Sequence, residues 1–126
     1  MGPIRGGGCL DISKDLVAAS AAPLVLAILS DEESYGYAIR KRVGELSGGE
    51  LAWTDGMLYP VLHRLERNGY VEAQWGASEA GRRRKYCRLT KLGAEELERQ
   101  QRQWRLVDST LRGVWCIGIE PALQGV

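Results

Sequence analysis

The densest chemistry in this chain of 126 residues is a run of bases. From Arg82 to Lys91 it reads R-R-R-K-Y-C-R-L-T-K, six positive charges and no acid, whereas the whole protein carries a formal net charge of only +1. One concentrated basic stripe on a nearly neutral protein is a local electrostatic footprint. A second group of polar residues precedes it, on the stretch from Thr54 to Asn68. If that stretch is helical, Leu58, Val61, Leu62 and Leu65 share one face, and Tyr59, Pro60, His63 and Arg67 share the other. Both groups point to charge pairing and hydrogen bonding and away from covalent chemistry. Nucleophilic catalysis needs a Cys or Ser beside a base, yet His63 is the sole histidine and falls on the outward face. The chain has no Walker loop, no dinucleotide fingerprint and no metal-ligand spacing, so neither enzyme activity, a cofactor nor a metal is expected. Cys9, Cys87 and Cys116 are odd in number and far apart, which suits reduced thiols better than a disulfide framework or a zinc site.

The elements that must position these residues can be read from periodicity. Residues 12–20 suit a short leading helix, and Pro23 suits the first turn of a new one, where its missing N–H costs nothing. Leu24 to Leu29 then forms a dense apolar run for a buried helix. Ser34 can cap the next helix, whose face is Tyr35, Ala38, Ile39, Val43 and Leu46, and Ser47-Gly48-Gly49 stops it. Glu50–Trp53 alternates enough for one very short strand. Thr54 caps a third helix that ends at Asn68-Gly69, with Pro60 an awkward fit beyond its first turn. Tyr70–Trp75 and Arg84–Leu89 alternate as two strands around a glycine-containing loop, a hairpin. Thr90 caps a final helix carrying Leu97, Trp104 and Leu111 at intervals of seven, with Val107 and Val114 offset by three. That narrow seam is heptad-like and reads as a dimer interface.

The expected architecture is mainly α with a small β-hairpin. Three packed helices followed by a hairpin make a winged helix-turn-helix domain over 12–90, followed by a long C-terminal dimerisation helix over 91–115. Residues 1–11 read as a flexible N-terminal arm, and 116–126, with their glycines and Pro121, as a C-terminal tail that leaves the helix. No apolar run approaches the roughly 20 residues of a membrane span, and the N-terminus lacks the apolar core of a signal peptide. A cytoplasmic protein without a membrane partner is expected. Tyr35 and Tyr37 read as packing residues, Trp53 and Trp75 as residues packed under the hairpin, and Cys87 as a buried, inert thiol.

Three stretches carry a family resemblance: Y-G-Y-A-I at 35–39, D-G-M-L-Y-P-V-L-H-R-L-E-R-N-G-Y at 55–70, and R-R-R-K-Y-C-R-L-T-K-L-G at 82–93. With them the sequence resembles the PadR family of bacterial transcriptional regulators over about residues 16–111. The resemblance implies a winged helix-turn-helix homodimer that binds double-stranded operator DNA, usually as a repressor, through its third helix and its wing. On the third helix the candidate contacts are Thr54, Asp55, Gly56, Tyr59, His63, Arg64 and Arg67. On the wing they are Arg82, Arg83, Arg84 and Lys85, along the phosphate backbone or in the minor groove. Leu97, Trp104, Val107, Leu111 and Val114 are the candidate dimer interface. Some small members of the family hold planar aromatic drugs between subunits against a tryptophan, which makes Trp104 either interface packing or the wall of a pocket for a small planar hydrophobic effector. A module that binds an acidic protein partner is the competing reading, and salt-dependent DNA affinity separates the two.

Overall fold

The computed structural model describes residues 12–78 and 80–119, with side chains up to Cys116. The expected N-terminal arm and the end of the tail lie outside the described residues. The first helix, α1, runs Lys14–Asp31 without a break. Ser13 caps it by accepting the Leu16 N–H at 3.2 Å, and Pro23 lies inside it. The expectation of two helices meeting at Pro23 is therefore corrected. Ala21, Val25, Leu26 and Leu29 are all buried, so packing on both sides of the proline outweighs its missing hydrogen bond.

Ser34–Tyr35 form a two-residue strand, β1, and the second helix, α2, spans Gly36–Leu46. Ser34 is thus not a helix cap: its backbone pairs with Cys87, and Tyr35 occupies the cap position without a side-chain bond. The strand expected over 50–53 is absent. That segment is a connection in which Ser47 Oγ accepts the Leu51 N–H at 2.9 Å and Trp53 turns into the core.

The third helix, α3, is Asp55–Arg67. Thr54 Oγ1 accepts the Met57 N–H at 3.3 Å, and the apolar face Leu58, Val61, Leu62 and Leu65 is buried as its spacing demands. Pro60 stands in the helix interior and deprives the Gly56 carbonyl of its intrahelical donor, at an exposed position where water can replace it. Gly69, at φ +82°, ends the helix, with Tyr70 N–H bonded to Leu65 O at 3.0 Å and Gly69 N–H to Glu66 O at 3.0 Å.

Two strands follow, β2 (Val71–Ala77) and β3 (Arg83–Leu89), antiparallel from Val71↔Leu89 to Ala77↔Arg83. With β1 they make a three-stranded sheet in the order β1-β3-β2. The last helix, α4, runs Lys91–Ile119, four residues beyond the expected end, so the start of the expected tail is still helical. Thr90 fastens its origin: Thr90 Oγ1 accepts the Gly93 N–H at 2.9 Å and donates to Gly69 O at 2.7 Å, while Thr90 N–H bonds Tyr70 O at 3.1 Å. A Cβ on Gly93 would lie 2.1 Å from Tyr70 O, so only glycine lets α4 start this close to the α3–β2 turn. Leu97 is 7% exposed and belongs to the core of its own chain, which corrects its assignment to the intersubunit seam. Beyond Trp104, α4 leaves the domain, and residues 101–115 are exposed throughout.

Candidate nucleic-acid interface

Tyr59 and His63, one turn apart on α3, line a groove with the wing residues Trp75 and Arg82–Lys85. The two polar groups found in the sequence therefore meet on one surface. Gly36, the first residue of α2, opens room for Tyr59: a Cβ there would stand 2.5 Å from Tyr59 Oη and 3.0 Å from Cζ. His63 is exposed, and so are Thr54, Asp55 and Gly56 at the start of α3. Arg64 and Arg67 are exposed but lie outside the groove, in the last turn, where their charge complements the helix dipole.

The four bases of the wing are not equivalent. Arg84 lies with Cζ 4.2 Å from the ring centre of Tyr35, which itself meets Tyr86 edge-on at 5.6 Å. Arg83 stacks over Trp75 at 4.8 Å. Lys85 Nζ reaches Glu66 Oε1 at 3.5 Å and so ties the wing to the end of α3. Arg82 has no ring or ion-pair partner among the described residues. Farther along the stripe, Arg88 pairs across the strands with Glu72, outside the groove. Stacking on a ring contributes about 0.5–1 kcal/mol at exposed sites and holds the guanidinium plane in one orientation.

A further cation was not singled out by the sequence. Arg40 of α2 places Nε 2.7 Å from Asp55 Oδ1, an ion pair without the alignment of a hydrogen bond, and lies 5.5 Å from the Tyr37 ring centre. Helical spacing put Arg40 on the polar side of α2, but only the α2–α3 angle shows what it meets. Tyr37 is 57% exposed and Trp75 58% exposed, so neither packs inward as expected. Trp75 does share a sheet face with Val71 and Ala73, but the hairpin extends past the core before reaching it. Trp53, by contrast, is in the core. Cys87 is buried as expected, and that burial raises its thiol above the ordinary value while Lys85 pulls it down and Glu66 up.

On α4, Trp104 is exposed at the domain's edge, and Val107, Leu111 and Val114 are exposed on the part that leaves it. Trp104 also borders a small apolar recess of about 230 Å³ between α1 and α4, with Pro23, Leu24, Ala27 and Leu97. No helix among the described residues is long and apolar enough to cross a membrane.

Three helices, a β-wing and an aromatic and basic groove between wing and third helix define a winged helix-turn-helix protein. The chain belongs to the transcriptional regulator PadR-like family, whose profile matches residues 25–99. It is 28% identical to a solved transcriptional regulator from Clostridium thermocellum, with a TM-score of 0.74 over 82% of this chain and 97% of that one. A solved PadR family transcription regulator from Clostridium difficile is 31% identical, with a TM-score of 0.69 over 76% of this chain and 98% of that one. The transcriptional regulator YqjI of Escherichia coli is 28% identical over 75% of this chain, which spans 44% of that longer protein. The protein is a transcriptional regulator of the PadR family.

Proposed function

We propose that the protein is a cytoplasmic repressor that binds an inverted-repeat operator as a homodimer, with residues 12–90 as the DNA-binding unit and α4 as the dimerisation helix. The observation that carries this reading is the single groove in which Tyr59 and His63 of α3 face the arginines of the wing. An α-helix fits the major groove, and a basic wing beside it follows the phosphates or enters the adjacent minor groove. Homodimerisation is supported by the apolar residues that α4 exposes after leaving its own domain, among them Val107 at 50% and Val114 at 63%. About a twofold axis, that helix would set two recognition helices on successive major grooves, hence half-sites one or two helical turns apart. The apolar recess beside Trp104 supports a small planar hydrophobic effector whose binding releases the operator. Repression itself is carried over from the family.

Selection of bound sequences from random duplex DNA tests the reading. The expected outcome is a palindromic motif bound far more tightly than genomic DNA, with affinity falling steeply as salt rises. Enrichment of no motif would sink operator binding, and a shallow salt dependence would leave the groove to an acidic protein partner.

A further inference from the structure

Two acids stand on α3 near its DNA-facing side, and each is met by a base from a neighbouring element. Glu66 is met by Lys85 of β3, and Asp55 by Arg40 of α2. Asp55 is the more exposed of the two acids, at 60% against 39% for the side chains. Arg40 Nε approaches Oδ1, and the carboxylate is otherwise open to solvent. Asp55 precedes Tyr59 by four residues and so shares its face of α3, at the N-terminal end that reaches base edges when a recognition helix enters the major groove.

An acid in the first turn suits the helix dipole and the pair with Arg40; toward DNA, however, it repels every phosphate it approaches and favours only a hydrogen-bond donor. The major groove offers two: the amino groups of cytosine N4 and adenine N6. The adenine amino group is flanked by the N7 acceptor of the same base, which repels a carboxylate. The cytosine amino group is flanked on its own base by a C–H, which does not. Arg40, itself laid along Tyr37, fixes the carboxylate on one side and removes part of its charge penalty beside the backbone. From this geometry we infer that Asp55 is a specificity-determining residue, which selects a cytosine amino group at one position of each half-site, and that Arg40 is its positioning residue. The inference rests on the operator-binding reading above and adds the base that is read.

The test begins with the motif that the wild-type protein selects from random duplexes. One cytosine per half-site is expected to be strongly required. Replacing it by 2-pyrimidinone, which lacks only the amino group, lowers wild-type affinity about 10-fold, while the same replacement at a flanking cytosine does not. Asp55→Ala, which leaves no acceptor, loses the preference at that position alone and binds the amino-free duplex as well as the original. Arg40→Gln weakens the same preference and leaves the other positions of the motif unchanged. A motif insensitive to removal of any cytosine amino group would overturn the inference in the wild-type protein, whatever the stability of the variants. So would an Asp55→Ala variant that selects the wild-type motif with an equal loss on every sequence, because the Arg40–Asp55 pair would then only clasp α2 to α3. A wild-type protein that selects no motif fails earlier, at operator binding, and takes this assignment with it.

Discussion

Tyr59 owes its place to what Gly36 lacks. With a methyl group at position 36 the phenol oxygen would be at 2.5 Å, so the ring must swing away from its seat beside the wing. Gly36 has no positive φ, and alanine favours the first turn of a helix, so the backbone itself accepts the change. Gly36→Ala is expected to leave the melting temperature nearly unchanged and to weaken operator binding several-fold by fluorescence anisotropy. If the effect runs through Tyr59, the double variant Gly36→Ala, Tyr59→Ala will bind no worse than Tyr59→Ala alone. His63 is exposed on the same groove, and base reading rather than backbone contact is expected of it. His63→Ala should cost on the order of 1–3 kcal/mol on the selected site and little on random DNA. Equal losses on both would reassign it to a phosphate.

At the level of elements, the wing acts as a set of unequal cations rather than as one basic patch. Replacing all four of Arg82–Lys85 by Ala should weaken binding to every sequence alike and flatten the salt dependence, by about 0.9 in slope for each phosphate left without its cation. Single replacements should divide: Arg82→Ala and Arg83→Ala lower the slope, whereas Lys85→Ala, already held by Glu66, lowers it least. Equal slopes for all four would mean that the ion pair opens on DNA. What the sequence reveals of these elements follows the range of the interactions that make them. Thr54 and Thr90 are legible as caps because each bonds an N–H three residues away. The buried face of α3 is legible because its period is local. β1 is not, since two residues become a strand only by pairing with Cys87 and Tyr86, more than fifty positions later. Pro23 misleads for the same reason: its local cost is visible, and the burial that overrides it is not. The heptad spacing of Leu97 is real, but periodicity cannot say whose core a side chain enters.

For the whole molecule, the long exposed part of α4 bears on assembly. Because Leu97 is buried within its own chain, Leu97→Glu would place a charge in the core and unfold the domain. Val107→Glu with Leu111→Glu avoids that, since both are exposed. This variant is expected to sediment as a monomer with unchanged helix content by circular dichroism, and to lose operator affinity at concentrations where the wild type is saturated. Dimers that persist would move the interface off this stretch of α4. The anchoring of α4 at Thr90 and Gly93 also bears on how a tilt of that helix would pass to the rest of the domain. With the wing strand, the α3–β2 turn and the first turn of α4 bonded at one residue, and no room at Gly93 for even a methyl group, the junction is tightly tied. Twenty-nine residues of helix make a rod about 43 Å long, so a tilt of about 5° moves one end relative to the other by about 4 Å. A rigidly mounted rod cannot absorb that tilt by bending at its base. In the proposed homodimer, a force that pries the two α4 rods apart far from the DNA would therefore arrive at the wings as displacement, with the length of α4 as one arm of the lever.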